Sequence, residues 1–168
     1  NGDGTFAEKV DIVGGKSPRD LKLGDLDGDG DLDFLTTRVG ISFVDYVEVR
    51  LNNGDGTFTY SDVYDIGDDL MAIALGDLDG DGDLDALAGR SGFGMFVLLN
   101  HGDGTFADGV HYDSEQISNL TLGDVDGDGD LDALTSFDGM GVDVIGVHLN
   151  NSDGTFAPRS SSYPGSSP

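Results

Sequence analysis

One nine-residue pattern, D-x-D-G-D-G-D-x-D, occurs three times in the chain, at Asp25–Asp33, Asp77–Asp85 and Asp124–Asp132. Each copy lies in a longer block: LGDLDGDGDLDFL from Leu23, LGDLDGDGDLDAL from Leu75 and LGDVDGDGDLDAL from Leu122, at offsets of 52 and 47 residues. A second motif interleaves with the first: NGDGTF at Asn1 and Asn53, HGDGTF at His101 and NSDGTF at Asn151, at offsets of 52, 48 and 50 residues. Two independent markers on one period define a repeat array. Such an array confines the fold to small units, each of which buries its apolar faces only by stacking on a neighbour.

Within a period the apolar runs are short. In the middle repeat they are Met71–Leu75, Leu84–Ala88, Phe93–Leu99 and Thr105–Tyr112, divided by the Asp/Gly loop, a turn at Gly89–Gly92 and the H-G-D-G turn. Ile41–Leu51 and Gly141–Leu149 correspond to the third run, and Thr57–Tyr64 to the fourth. D-G between apolar runs is a hairpin signal, because glycine reaches positive φ without steric penalty. No segment sustains a 3.6-residue apolar period, so the expectation is an all-β chain. Four strands every fifty residues or so matches a β-propeller blade, here four antiparallel strands in each of three repeats. A β-sandwich built from metal-binding repeats competes, but it rarely repeats one loop at one period. The repeats fall near 14–64, 65–112 and 113–159 within a domain spanning 1–159. An extra N-terminal strand is expected at 5–13, and 160–168 reads as a Ser/Pro-rich tail or linker.

Acidic residues outnumber basic ones 33 to 8, a formal net charge of −25. Only Glu8, Glu48 and Glu115 are glutamate, which leaves thirty aspartates beside 28 glycines. Aspartate is a turn former, since its short carboxylate bonds to nearby backbone, so this acidity belongs to loops rather than to a charged helix. With 37% hydrophobic residues in regular runs, a packed protein is expected rather than a disordered one. Nucleic acid is not an expected partner, because no Lys/Arg cluster exists to meet phosphate. The absence of cysteine removes disulfides, thiolate zinc sites and a cysteine nucleophile. No apolar run approaches a membrane span. The chain begins at Asn1 without an initiator Met or signal peptide, as a mature form or an excised fragment would.

Divalent cations are the natural counter-charge. Ca²⁺ takes six to eight hard oxygen ligands, and a nine-residue loop with Asp at alternate positions can wrap its carboxylates around one ion. In the first loop, Asp25, Asp27, Asp29 and Asp33 are assigned as side-chain ligands and Asp31 through its carbonyl, with water completing the shell. The equivalents are Asp77, Asp79, Asp81, Asp83 and Asp85, then Asp124, Asp126, Asp128, Asp130 and Asp132. Three ions would bring the formal charge from −25 only to −19. An EF-hand is excluded: it needs Glu at position twelve and flanking helices, whereas that position holds Thr36, Ala88 and Thr135 and strand-like runs follow. Dockerin- and thrombospondin-type loops share the Asp spacing but not the second motif or the period.

Together the two motifs resemble the FG-GAP/VCBS family of calcium-binding propeller repeats, found in integrin α-subunit heads and many secreted bacterial proteins. The resemblance covers roughly residues 1–157. It implies that each loop joins the first two strands of a blade and ligates calcium at positions one, three, five, seven (main chain) and nine. Copy number departs from the family, because three loops are fewer than a closed ring needs.

The remaining candidates read as structural. Phe6, Phe58, Phe106 and Phe156 are expected to pack between blades, and the NGDGTF turns to be hairpins rather than second metal sites. His101 reads as a solvated turn residue; His111 and His148 lie on strands without a repeated partner. No nucleophile elbow or phosphate loop is present, so a non-enzymatic role is expected. The sequons at Asn119 and Asn150 are candidate glycosylation sites. Three blades cannot close a normal ring, so the expected ring is incomplete within one chain, and unmatched ends call for self-association or for other blades of a larger chain. Assembly of copies into a six-bladed ring or a head-to-tail filament is preferred over a fragment of a larger propeller. The expected role is that of an extracellular, secreted or cell-surface structural and adhesive repeat protein. A lectin-like module binding a glycan or protein ligand is the alternative.

Overall fold

The computed structural model describes residues 8–9, 11–12, 17–40, 44–112, 116–139 and 142–157. The expected strand at 5–13 lies largely, and the tail at 160–168 wholly, outside the described residues, as does Phe6. Eleven strands and no helix occur among the described residues, in three antiparallel sheets that follow one another along the chain. No helix there is long and apolar enough to cross a membrane.

The first sheet runs in the order β1 (Pro18–Gly24), β2 (Asp33–Val39), β3 (Asp45–Asn52), β4 (Phe58–Gly67). The second runs β5 (Leu70–Gly76), β6 (Asp85–Arg90), β7 (Gly94–Leu98), β8 (Val110–Tyr112). The third has β9 (Asn119–Gly123), β10 (Asp132–Gly139) and β11 (Val142–His148), with β10 in the centre. Each Asp/Gly loop joins the first two strands of its sheet, and each D-G turn follows the third. The first strands β1, β5 and β9 lie against one another in succession.

The fourth strand differs between repeats for a local reason. In the first repeat TFTYSDVY runs unbroken into β4. In the second, the expected strand Thr105–Tyr112 reduces to a bridge between Asn100 and Phe106 and the three residues of β8. Asp108 and Gly109 interrupt it, and both are poor strand residues. Gly109 lies tight on β7, where a Cβ would come 3.2 Å from Leu98. The third repeat likewise bridges Asn150 to Phe156, after which the chain leaves the described residues.

The middle sheet is buried on both faces, and period-two alternation divides its side chains. Ala86 and Ala88 of β6 join Leu35, Val47 and Val49 in one core against the first sheet. Leu87 between them points the other way, with Val97, into a second core against Leu120 and Ala133. A register shift between Leu70 and Ala72 resets the alternation in β5, so Leu70 and Ile73 face the first core while Ala72 and Ala74 face the second. Of the second-motif phenylalanines, Phe106 and Phe156 lie in these seams as expected. Phe106 packs edge-on against Tyr64, with centroids 5.6 Å apart, and Phe156 against Tyr112 at 5.8 Å. Phe58, which has no preceding sheet among the described residues, is only half-buried and packs within its own sheet on Phe34.

Candidate metal centres

In each loop the backbone is shaped by its own aspartates. The first Asp accepts from two glycine N–H groups: Asp25 from Gly28 at 2.9 Å and Gly30 at 3.0 Å, with Asp77 and Asp124 repeating the pattern. The Asp at loop position three accepts from the N–H of position five, and the Asp at position five from that of position seven. Gly28 and Gly30 have φ of 75° and 93° and open space where a Cβ would stand, so backbone conformation rather than crowding requires glycine there.

The result gathers carboxylates. Oxygens of Asp25, Asp27 and Asp29 lie within 4.8 Å of one another, as do those of Asp77, Asp79 and Asp85, and of Asp124, Asp126 and Asp132. Two unit charges at such a separation repel by about 1 kcal/mol in bulk water and about 4 kcal/mol near a protein surface. Burial and the neighbouring carboxylates hold Asp27, Asp79 and Asp126 above the usual carboxylate range. Burial pushes Asp85 up to about 6, against two backbone N–H bonds that favour its charged form. Each group is thus an all-oxygen, anionic donor set short of positive charge, which fits a hard cation. These three groups could hold metal ions.

The ninth-position aspartates carry a second task. Asp33, Asp85 and Asp132 are fully buried, and each ties its loop to the end of the third strand. Asp85 accepts from Leu78 N and Asn100 N, both at 2.8 Å; Asp33 does the same with Leu26 and Asn52, and Asp132 with Val125 and Asn150. The seventh-position side chains turn out of the group towards the next D-G turn. A Cβ on Gly54 would lie 2.8 Å from Asp31 Oδ2, one on Gly102 closer still to Asp83, and Ser152 Oγ donates to Asp130. Asp81 and Asp128 stand beside their groups, within reach of their third-position neighbours.

Sequence reasoning passed over Asn52 and Asn100 and read Asn150 only as a sequon. Asn100 Nδ2 donates to the Leu26 carbonyl of the preceding loop at 2.9 Å, and Asn150 Nδ2 to that of Leu78 at 2.7 Å. The signal was present, since Leu-Asn precedes the second motif at Leu51, Leu99 and Leu149. Of the two sequon asparagines, Asn150 is buried with its amide bonded to Leu78 and Leu131, whereas Asn119 is exposed. The second-motif turns behave as hairpins: Thr57, Thr105 and Thr155 donate through N–H and hydroxyl to Asp55, Asp103 and Asp153 and hold those carboxylates below their usual range. His101 is exposed in its turn. His111 stacks on Phe96 and bonds the Phe93 carbonyl, and His148 is buried beside Thr135 Oγ1.

A comparison with curated proteins found no match. Residues 39–88, which run from the end of β2 to β6 and include the Asn53 turn and the Asp77–Asp85 loop, match the family model of the FG-GAP-like repeat.

Proposed function

We propose that the chain is an extracellular, non-enzymatic structural and adhesive repeat protein in which each Asp/Gly loop holds one Ca²⁺. The observation that carries this reading is the threefold recurrence of a carboxylate group within 4.8 Å on a loop already folded around it. Asp25, Asp27, Asp29 and Asp33 would hold the ion of the first loop, with the carbonyl of Asp31. Asp77, Asp79, Asp81, Asp83 and Asp85, and Asp124, Asp126, Asp128, Asp130 and Asp132, would do so in the other two. The ion supplies the charge that lets such a group close, so metal binding and folding are coupled. The chain's own residues place the carboxylates: glycines bend the loop, and the buried ninth Asp ties it to the sheet.

In this reading the three sheets are propeller-type blades whose ends meet further blades or other copies. Scanning calorimetry with and without a chelator tests it. Chelation is expected to lower the melting temperature substantially, with recovery on adding Ca²⁺. An unchanged transition after complete metal removal would overturn it.

A further inference from the structure

The seam between successive sheets is the same set of contacts made twice. Leu75 and Leu84 of the second sheet cover Gly24 of the first, and a Cβ there would lie 2.6 Å from Leu84. Leu122 and Leu131 of the third sheet cover Gly76 of the second in the same way. In the opposite direction, Leu51 packs on Gly104 and Leu99 on Gly154. Leu26 and Leu78 are buried beneath the next sheet, and their carbonyls take the amides of Asn100 and Asn150.

Each end of the described array presents one half of this seam without the other. At the first sheet, the equivalents Leu23 and Leu32 are 57% and 55% exposed, and no described residue lies within 4 Å of a Cβ on Gly56. The Asn52 amide bonds Leu32 of its own sheet, with no preceding loop carbonyl among the described residues. At the third sheet, Gly123 has no described residue within 4 Å of its Cβ position, Leu149 is exposed, and Val125, the counterpart of Leu26 and Leu78, is 47% exposed. The β9–β11 face carries a depression lined by Thr121, Leu134, Ser136 and Ile145. The opposing β1–β4 face holds Glu48 buried between Arg50 at 2.7 Å and Arg38 at 3.1 Å, so that acid is already balanced.

We propose that a second copy of this chain docks head to tail on the β9–β11 face and continues the internal seam. Its Leu23 and Leu32 cover Gly123, its Gly56 seats under Leu149, and its Asn52 amide meets the Val125 carbonyl. The occupant is a copy of this chain because one chain carries both halves of a contact that it already makes twice within itself. The inference rests on the structural reading above and names the surface that reading requires.

The test is the mass in solution of the full chain with Ca²⁺, by light scattering, with melting and Ca²⁺ binding recorded on the same samples. A mass of two or more chains of 17.5 kDa is expected. Gly123→Phe blocks one half of the seam and Leu23→Asp the other, both at open positions, so each variant alone should be a folded monomer. Mixed together, they retain one intact half each and should form a one-to-one complex. A wild-type chain that binds Ca²⁺ yet stays monomeric, as when the face instead meets a fused repeat, overturns the seam and leaves the calcium reading standing. Association without Ca²⁺ binding does the reverse. Variants that associate as wild type, or a mixture that stays monomeric, also overturn the seam.

Discussion

The Asn100 side chain donates from Nδ2 to the Leu26 carbonyl at 2.9 Å, joining two sheets across 74 residues of chain. Its own N–H donates to Asp85 Oδ1 at 2.8 Å, so one buried residue braces the loop of its own sheet and the loop of the sheet before. Asn150 repeats both bonds with Leu78 and Asp132. Asn100→Ala therefore leaves buried carbonyls unpaired and should cost roughly 1–3 kcal/mol. For a chain of this size each kcal/mol lowers Tm by about 2–4 °C. Asn52→Ala, at a half-buried residue bonded within its own sheet among the described residues, should cost less; thermal denaturation of the two variants gives the comparison.

Asp85 is buried with an N–H on each oxygen. Asp85→Ala strips both acceptors at once and should destabilise by roughly 2–5 kcal/mol. Asp85→Asn keeps one acceptor, sets an amide donor against the other N–H, and should fall between Ala and wild type. Urea unfolding in chelator isolates this hydrogen-bonding part; equal stability of Asp85→Ala and wild type there would rule out the brace.

Gly76 and Gly123 occupy the same place in their repeats but not in the packing. A Cβ on Gly76 would lie 2.6 Å from Leu131 and 2.9 Å from Leu122, so Gly76→Ala should cost about 1–3 kcal/mol of overpacking. Gly123→Ala meets open space and should stay within about 0.5 kcal/mol of wild type in dilute, monomeric protein. Chemical denaturation of both variants reads the difference.

Asp20 joins the first two sheets by accepting from Ile73 N at 3.0 Å and pairing with Lys22 at 2.8 Å. Burial raises its pKa, but Lys22 and the N–H groups of Ile73 and Leu21 together outweigh that and lower it. A lowered carboxylate contributes stability above its unfolded pKa of about 3.9 and loses it as pH falls through the folded value. Asp20→Asn should therefore melt below wild type at neutral pH, and the gap should close between pH 5 and the acid limit. A gap independent of pH would exclude the carboxylate as its cause.

The loops, the D-G turns and most strands were legible in the sequence because their chemistry is local: carboxylates bond N–H groups two to five residues away, and alternation marks each pleat. The seam was not. Nothing near Asn100 points to Leu26, and Gly24 looks like a turn residue until Leu75 and Leu84 are seen above it. Asp33, Asp85 and Asp132 read as ligands alone, since a buried brace and a ligand use the same carboxylate and only three-dimensional burial separates the two tasks.

Asp27→Ala removes one carboxylate from the first loop and leaves the other two groups intact. In Ca²⁺ it should lower the melting temperature less than chelation does, because chelation empties every loop. A loss equal to that of chelation would mean that the three loops do not act independently.

The most direct measurement is calorimetric titration of the metal-free chain with Ca²⁺. Binding of three ions per chain is predicted, one to each of the groups around Asp27, Asp79 and Asp126. No detectable binding, or a stoichiometry unchanged when Asp27, Asp79 and Asp126 are replaced together, would contradict it.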